Sequence, residues 1–510
     1  MAQPIAKASF DMWLVNRAAL AIALMVSFYL LAIGVAFGLL WIAYADVAYT
    51  NHPIGKLILF CVAGGLSVLW AIVPRPDRFE PPGPRVEPQD QPDLFKVIEE
   101  VAASASQAMP SEVYLVNDVN AFVAQRGGVM SIGSRRVMGL GLPLMQVLSV
   151  QEFRSVLAHE FGHYHSGDVK LGPWIYKTRA AIGRTIQQLS NNILQQIFIA
   201  YGNLFLRLTH AVSRRQEFIA DGMAAHAAGA GATISGLRKV HSASFAYRSY
   251  WIGELGPVLG FGYLPPVTPG FAQFLECPHV TAGMDALVNH SEAAGETDPY
   301  DTHPSLRDRV AALAPLPTGA VADSRPAIAL LRDLLKWERR VLAAVSEDLA
   351  GLKSIDWSDV GEKVYVPLWR QRLEHHGKLL SGRTVATVPA TRAELIRIGR
   401  ATFAKHEEAQ DKESIGRAWQ LVIAAIGLAL VSNGWTVHAA PGREVILRRG
   451  GEELRPYTEL NAVVEGKVQP ADWLSRCAAL GIDQLSLEVA APVMEPIDPR
   501  SSPSLKRWEL

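Results

Sequence analysis

SVQEFRSVLAHEFGH, residues 149–163, has the pattern of a helix that carries two histidines on one face. Ser149 is followed three residues later by Glu152, which predicts a capping box, and apolar residues then recur at helical spacing. Four residues advance a helix by about 400°, so His159 and His163 project from successive turns of the same face. Two imidazoles placed in this way can bind one zinc ion. The segment therefore predicts a helix with two of the ligands of a metal site.

Glu160 adjoins the first histidine and is predicted to be the general base rather than a ligand. Zinc lowers the pKa of a bound water to ~7, so a nearby carboxylate can take a proton and later return it to a leaving amine. This is the chemistry of peptide hydrolysis. The alternative is an accidental pattern on a solvated helix. With 14 histidines in 510 residues, such a pattern arises by chance in roughly one chain in fifty.

A catalytic zinc needs a third protein ligand, and Glu217 is the candidate. Asp221 follows it by four residues, so on a helix both carboxylates share one face, where Asp221 could orient an imidazole through its free N–H. The alternative for Glu217 is a surface partner of the neighbouring Arg214 and Arg215. The spacing alone leaves both interpretations open.

The composition indicates a protein of mixed character with two or three folded units in its 510 residues. Hydrophobic residues make up 49% and charged residues 19%, which is apolar for a soluble enzyme and too polar for a transporter. Basic and acidic residues are equal at 49 each, so nucleic acid is not expected as a partner. Cys61, Cys277 and Cys477 are scattered, which is typical of a reducing compartment.

Two uncharged runs predict a transmembrane hairpin. Residues 18–45 are long enough to span the bilayer with tilt, and residues 57–73 are at the short end of that range. A cleaved secretory signal is the alternative for the first run, because Ala43-Tyr44-Ala45 has the small residues of a cleavage site. Signal peptides have shorter apolar regions, so the hairpin is favoured.

The charges that flank the hairpin predict its orientation. Basic residues lie at both ends, with Lys7 and Arg17 before it and Arg75, Arg78 and Arg85 after it. The loop between the spans offers chiefly Lys56 and Asp46. Cytoplasmic segments carry the excess of basic residues, so both ends are expected in the cytoplasm. The sequence thus predicts a multi-pass protein of the plasma membrane, which in bacteria is the inner membrane, with a cytoplasmic catalytic domain.

Composition also predicts how the rest of the chain is divided. The expected parts are a membrane hairpin (1–73), a stiff proline-rich linker (74–93), a metallopeptidase domain (94–316), a helical extension (317–410) and a small C-terminal domain (411–510). Trp337, Trp357 and Trp369 are candidate packing anchors of the extension. Residues 418–435 are interpreted as a buried helix, with a third span as the alternative.

The predicted fold class is mainly α with a small β-sheet, an α+β arrangement. Residues 112–116 and 129–132 predict a strand pair around Asn120-Ala121-Phe122, and a strand-like tail of hairpin character surrounds Val445-Ile446-Leu447. Residues 185–208 are apolar but interrupted by glutamines and asparagines that would be costly facing lipid. A buried or membrane-grazing helix is expected there rather than a span.

Four motifs occur in an order that resembles the HtpX-like and CAAX-prenyl-protease family of integral membrane zinc metallopeptidases. They are Asn120-Ala-Phe122, His159-Glu-Phe-Gly-His163, Glu217-x-x-Ala-Asp221 and Thr302-His-Pro-Ser305, within roughly residues 94–313. The resemblance implies a mostly helical gluzincin domain with a small sheet at its cleft. It assigns one zinc ion to His159, His163 and Glu217, and it makes Glu160 the catalytic glutamate.

The same resemblance implies further roles. Asn120, Ala121 and Phe122 would lie beside the cleft, where an edge strand can pair with an extended protein or peptide substrate. His303 would help polarise the scissile carbonyl, and Arg309 would pair with Asp221. The alternative for His303 is a residue at a helix start before Pro304. His165, His375 and His376 are expected to be structural.

Some features depart from the family pattern. HtpX-type members usually carry additional spans between the HExxH helix and the ligating glutamate, whereas this chain offers only the glutamine-rich stretch near 193–208. The part after about residue 315 has no counterpart in the family core. Two alternatives remain, a soluble thermolysin-like peptidase and a catalytically silent membrane scaffold. The hairpin argues against the first, and the intact Glu160 argues against the second.

Overall fold

The computed structural model describes residues 12–73, 79–127, 134–163, 172–189, 193–294, 303–319, 323–403 and 410–488. The chain forms two compact units. The first unit comprises Met1–Ala243 and Ala286–Trp337, and the second comprises Ser244–Asp285 and Glu338–Leu510. Residues 244–285, which the sequence placed in the range of the peptidase domain, thus group with the later part of the chain. The boundaries of the functional domains stay predictions.

Helices account for most of the chain. Those of the first unit are α1 (Met12–Tyr49), α2 (Gly55–Ile72), α3 (Pro92–Ser104), α4 (Leu142–Val147), α5 (Val150–Gly162), α6 (Gly172–Gln188), α7 (Ile193–Ala228) and α12 (Leu306–Leu313). The second unit contains α9 (Gly256–Gly260), α10 (Val267–Leu275), α14 (Glu347–Ala350), α15 (Trp357–Val360), α16 (Val366–His376), α17 (Arg392–Arg400), α18 (Asp411–Val431), α19 (Pro456–Val464) and α20 (Pro470–Ala479). Three helices continue from one unit into the other, namely α8 (Ala230–Tyr250), α11 (Pro278–Ala294) and α13 (Leu334–Val345).

The strands form small sheets. They are β1 (Arg85–Val86), β2 (Glu112–Val116), β3 (Ala121–Arg126) and β4 (Arg135–Gly141) in the first unit, and β5 (Tyr263–Leu264), β6 (Lys353–Ser354), β7 (Thr436–His438), β8 (Ile446–Arg449) and β9 (Glu452–Leu454) in the second. Short π-helical turns lie at Trp251–Leu255 and Gly361–Tyr365, and 3₁₀ turns at Ala327–Leu330, Gly377–Leu380 and Val385–Thr387. The predicted mainly α fold with few small sheets is confirmed.

α1 and α2 form a hairpin of two apolar helices, as predicted. Residues 19–49 and 55–72 are both long and apolar enough to cross a membrane, and only 28% and 22% of their most apolar stretches are buried within the protein. The helices pack closely, because a Cβ on Gly65 of α2 would lie 3.1 Å from the carbonyl oxygen of Ala36 in α1. The exposed remainder suits contact with lipid.

α6 and the first half of α7 pack against this hairpin, where the sequence predicted one buried or membrane-grazing helix. The four helices share a core of Met25, Phe28, Ala32, Ala36, Val68, Ala181, Ile182, Leu189, Phe198 and Phe205. The hydroxyl of Tyr201 donates a hydrogen bond of 2.5 Å to the carbonyl of Leu24. Three glutamines lie exposed near the end of α6 and the start of α7, namely Gln187, Gln188 and Gln196. These three glutamines therefore do not interrupt the packed faces.

The sheet of the first unit has the order β1-β2-β4-β3, with β2 parallel and β3 antiparallel to β4. The predicted strand over 112–116 is confirmed. The predicted partner over 129–132 lies outside the described residues, and β4 begins at Arg135. Ala121 and Phe122 belong to β3, which pairs with β4, rather than to a connecting turn. The ring of Phe122 packs over Gly139 of β4, where a Cβ would come within 2.3 Å of the ring.

The proline-rich segment is only partly an extended spacer. Residues 74–78 lie outside the described part, but Arg85 and Val86 pair with β2. Gln91 accepts a hydrogen bond of 2.7 Å from the amide of Arg332. α3 then begins at Pro92. Backbone and side-chain hydrogen bonds thus bind this segment to the first unit.

The second unit has its own core, built around α18. Sixty-seven per cent of the most apolar stretch of α18 is buried, which favours the predicted buried helix, although its length and composition would also suit a span. Trp357 and Trp369 of this unit are buried, and so is Trp337 at the end of the first unit, as expected of packing anchors. β8 and β9 pair across Gly450 and Gly451 and confirm the predicted hairpin character. Residues 489–510 lie outside the description.

Candidate metal centre

α5 is fixed at its start by the predicted capping box. Ser149 Oγ accepts a hydrogen bond of 3.2 Å from the amide of Glu152, and the Glu152 carboxylate accepts one of 2.7 Å from the amide of Ser149. The same carboxylate also accepts from Ser235 Oγ at 2.6 Å and Lys239 Nζ at 2.8 Å, both on α8. The helix that carries the histidines is therefore tied to α8 by one buried carboxylate.

His159 and His163 lie one turn apart at the end of α5, with ring centroids separated by 4.8 Å. α5 ends at Gly162, so His163 occupies the C-cap position, and its amide donates to the carbonyl of His159 at 3.3 Å. The close spacing follows from the i, i+4 relation that the sequence supplied. Both imidazoles are thus available on one face for a shared ligand.

Glu217 of α7 completes the cluster. Its Oε2 lies 3.5 Å from His159 Nε2, and its Oε1 lies 3.6 Å from His163 Nε2. One ligand atom from each of the three residues lies within 4.8 Å of the others, and within the described part of the chain this is the one group of three or more such side chains that could hold a metal ion. The side chain of Glu217 is 7% exposed. The structure therefore brings together the three residues that the sequence proposed as ligands.

The close approach of α5 and α7 depends on Gly162. A Cβ at this position would lie 2.8 Å from the Cα of Ala220, which is shorter than real Cβ contacts. Only glycine allows the two backbones to come this near. The second x of the HExxH motif, Gly162, is thus fixed here by packing, and this packing places the carboxylate of Glu217 opposite the two imidazoles.

Asp221 and Arg309 lie behind His159. One Asp221 oxygen is 2.9 Å from His159 Nδ1, and Arg309 donates two hydrogen bonds to the Asp221 carboxylate at 2.8 and 2.6 Å. Arg309 also lies 3.5 Å from Glu217 Oε2. This last contact was not expected from the sequence. The guanidinium therefore touches both carboxylates of α7, although 88 residues separate it from Asp221.

Burial and charge shift the pKa values of the three clustered side chains in different directions. Burial lowers the pKa of His159, but Asp221 and Glu217 outweigh it and raise that pKa to about 9. Burial together with the charge of His159 lowers the pKa of His163 to about 4. Burial raises the pKa of Glu217, but contacts with His159 and His303 outweigh it and hold the pKa well below its ordinary value. A carboxylate and a neutral imidazole are the protonation states that bind a metal ion.

Glu160 contacts β3 and also lies close enough to His159 and Glu217 to feel their charges. Its carboxylate accepts a hydrogen bond from the backbone N–H of Val123. Burial raises its pKa to about 7, and the nearby Glu217 adds to this effect, whereas His159 opposes it. A carboxyl group with a pKa near neutrality can both accept and return a proton.

The remaining predicted site residues lie at the edges of this cluster. His303 Nδ1 is 3.2 Å from Glu217 Oε1, and its side chain is 59% exposed. The helix after it starts at Leu306 and is capped by Ser305, whose Oγ accepts from the Asp308 amide at 3.1 Å. Asn120 precedes β3, and Ala121 and Phe122 belong to it. Thr302 and His165 lie outside the described residues.

One contact of the candidate site was not predicted from the sequence. The backbone N–H of Val123 donates a hydrogen bond to the Glu160 carboxylate, and Val123 is the strand residue directly after the Asn120-Ala121-Phe122 motif. The period of two in a β-strand could have indicated that alternate amides face away from the neighbouring strand. It could not have shown which helix these amides would meet, because that depends on how the sheet packs against α5.

The comparisons with known proteins concern the same part of the chain. Residues 88–316 match the family model of peptidase family M48. Protease HtpX of Pseudomonas entomophila is 27% identical over 171 residues, which are 29% of this chain and 56% of that protein. Protease HtpX of Stutzerimonas stutzeri is 24% identical over 298 residues, covering 52% of this chain and 89% of that protein.

A third relative, the Protease HtpX homolog of Burkholderia multivorans, is 25% identical over 45% of this chain and 75% of that protein. The chain thus spans little more than half the length of the Pseudomonas entomophila relative and larger shares of the other two. No solved structure matches it significantly. The matched region contains the cluster formed by α5, α7 and α12.

Proposed function

The chain belongs to peptidase family M48 as an HtpX-like member, and from this premise we propose that it is a membrane-anchored, zinc-dependent endopeptidase. It hydrolyses peptide bonds of protein substrates. The observation that carries the proposal is the convergence of His159, His163 and Glu217 within 4.8 Å beside an intact Glu160. One zinc ion is bound per chain. A role in the processing or quality control of membrane proteins is consistent with the apolar hairpin.

The spacing of the three ligands supports zinc. Ligands about 2.1 Å from a tetrahedral zinc ion are separated from one another by about 3.4 Å. The nitrogen-to-oxygen distances from Glu217 to His159 and His163, 3.5 and 3.6 Å, are close to this separation. They are also too long for good hydrogen bonds. In agreement, the buried Oε2 of Glu217 has no hydrogen-bond partner in the described part of the chain.

The donor set is also that of a hydrolytic zinc. Two imidazoles and one carboxylate leave a fourth position open. A zinc ion held by these three residues would act as a Lewis acid and would lower the pKa of a water in the fourth position to ~7. Asp221 Oδ1 lies 2.9 Å from His159 Nδ1, where it favours the tautomer with its proton on Nδ1, so that Nε2 keeps its lone pair for the ion. Arg309 holds Asp221 in this orientation with its two hydrogen bonds.

Glu160 is the general base of the proposed reaction. Its carboxylate takes a proton from the attacking water and then delivers it to the amine that leaves when the peptide bond breaks. The pKa of about 7 that burial gives this group suits both transfers near neutral pH. His303 is placed at the exposed rim of the cluster, where its imidazole can donate to the carbonyl oxygen of the scissile bond.

The substrate is proposed to bind along β3 as an extended strand. β3 is the last strand of its sheet, so its outer edge can accept another strand. Asn120, Ala121 and Phe122 lie at the start of this edge. The basic residues flanking the hairpin support a cytoplasmic location for this domain, and the bacterial inner membrane is the proposed site.

Hydrolysis of fluorescein-labelled casein by the purified full-length protein in detergent tests this function. We expect activity that a chelator abolishes and added zinc restores. Glu160→Gln should bind zinc and remain inactive, whereas Glu99→Gln, an exposed carboxylate on α3, should behave as wild type. Casein cleavage that survives removal of all metal would exclude the mechanism. Zinc binding without any hydrolysis of casein or of the protein itself would favour the silent scaffold.

A further inference from the structure

The outer edge of β3 is the surface of the sheet nearest to the proposed catalytic base. β3 pairs with β4 on one side, and within the described residues no strand pairs with it on the other. α5 packs against β3. Backbone groups on this outer edge are therefore available to α5 or to another chain, and the direction of each amide decides which.

The strand register identifies the amides that point outward. Asn120 and Gly141 face each other, and the amide of Gly141 donates to the carbonyl of Asn120 at 2.9 Å. In an antiparallel pair, residues that bond to the partner strand alternate with residues whose N–H and C=O point away from it. Ala121, Val123 and Gln125 therefore direct their backbone groups to the outer edge. The hydrogen bond from Val123 to Glu160 agrees with this assignment.

We propose that the backbone N–H of Val123 is a positioning group that holds the carboxylate of Glu160 for proton transfer and does not bind substrate. The inference rests on the proposed function. A glutamate side chain turns about three bonds, so a base on a helix needs a second contact to stay within about 0.5 Å of its working position. The amide of Val123 provides this contact because β3 is itself fixed by β4.

The assignment also defines what remains for the substrate. With its N–H on Glu160, Val123 offers only its carbonyl oxygen to an added strand. Ala121 and Gln125 offer both an N–H and a C=O. A substrate strand that pairs with these groups leaves the hydrogen bond to Glu160 intact. Binding and proton transfer therefore use different groups of the same short strand.

Replacement by proline tests the role, because proline removes the N–H and is tolerated on the outer edge of a sheet. Val123→Pro removes the amide on Glu160, and Gln125→Pro, as a comparison, removes the next outward amide, which is offered to the substrate strand. Both full-length proteins are loaded with zinc and assayed on fluorescein-labelled casein. We expect Val123→Pro to lower kcat about 10- to 100-fold, the loss of a hydrogen bond to a charged group, with an unchanged KM and zinc content. Gln125→Pro, which loses a substrate contact instead, should raise KM and change kcat by less than about threefold.

A binding measurement separates this role from substrate pairing without relying on turnover. Labelled casein is titrated with Glu160→Gln and with the double variant Glu160→Gln/Val123→Pro, and fluorescence anisotropy gives the two dissociation constants. Equal constants support the positioning role. Weaker binding by the double variant, or a raised KM with unchanged kcat for Val123→Pro, would overturn it in favour of a substrate contact.

A backbone ester at Val123 serves as the second variant. It removes the N–H without the proline ring, so it decides the matter if Val123→Pro fails to fold. An ester variant with wild-type kcat overturns the inference. Absence of chelator-sensitive hydrolysis in the wild type would instead count against the proposed function, whereas an equal kcat of Val123→Pro and Gln125→Pro counts only against the role of the Val123 amide.

Discussion

Gly162 of α5 lies against the backbone of Ala220 in α7, so closely that a Cβ on Gly162 would stand 2.8 Å from the Ala220 Cα. We predict that Gly162→Ala forces the helices apart and displaces Glu217 from the imidazoles. Overpacking of this kind costs about 1–3 kcal/mol of stability. Zinc content by mass spectrometry and the thermal unfolding temperature measure both effects.

The control for this variant is Gly222→Ala, also on α7. A Cβ at Gly222 meets open space, and alanine is the better helix former by about 1 kcal/mol. Gly222→Ala should therefore keep its zinc and unfold at the same or a higher temperature. Full zinc occupancy in Gly162→Ala would show that the separation of α5 and α7 does not control the site.

Asp221→Asn should weaken metal binding. The amide keeps the shape of the side chain but loses the charge that pairs with Arg309 and orients His159. Loss of such a supporting contact costs about 10- to 100-fold in metal affinity. Competition with a chromophoric chelator measures the change, and Asp285→Asn, an exposed aspartate on α11, is the control. Equal zinc affinity of both variants would contradict the orienting role.

Glu152 should make the stability of the protein depend on pH. Burial raises its pKa, but Lys239, Ser235 and the Ser149 amide outweigh burial and lower the pKa below its ordinary value. Its contribution to stability is therefore complete above the unfolded pKa of about 4.3 and is lost as the pH falls through the lower folded value. Glu152→Gln should lower the free energy of unfolding by about 2 kcal/mol at pH 7.

Thermal unfolding of wild type and Glu152→Gln from pH 7 down to about pH 3 checks this sign. The difference between the two proteins should be constant from pH 7 to about pH 5 and narrow only below pH 4.3. A difference that grows as the solution becomes acidic would mean that burial dominates and that the carboxyl is neutral in the folded protein.

His303→Ala separates a role in catalysis from a role at a helix start. The side chain is exposed and touches Glu217, whereas Ser305 caps α12 without its help. We expect the variant to keep its zinc and its unfolding temperature and to lose about 10²-fold in kcat. Ser305→Ala, which removes the cap, should lower stability by about 1 kcal/mol with little effect on kcat. Wild-type turnover of His303→Ala would leave His303 with only a local structural role.

The parts of the site that the sequence could predict are those set by local geometry. His159 and His163 follow from helical spacing, and the capping box at Ser149 follows from its pattern. Glu217 needed the family resemblance, because spacing alone did not distinguish a ligand from a partner of surface arginines. The contact of Arg309 with Glu217 joins side chains far apart in sequence and depends on how α12 packs against α7.

The fold shows the same division between local and non-local order. The apolar helices and the hairpin of β8 and β9 were predictable from periodicity and turn residues. The strand pairing around Asn120 was not predictable. β2 pairs in parallel with β4, which comes later in the chain, and β3 pairs with the other edge of β4. The packing of α6 and α7 on the apolar hairpin was likewise hidden, since the local composition is polar whereas Gln187, Gln188 and Gln196 lie exposed, outside the packed faces.

α7 is a single helix of 36 residues that carries both Phe205, in the core shared with α1 and α2, and Glu217. At 1.5 Å per residue these two positions are about 18 Å apart along one stiff rod. A tilt of α7 within the apolar bundle would therefore move Glu217 as well. Bilayer thickness is thus expected to affect the geometry of the proposed metal site.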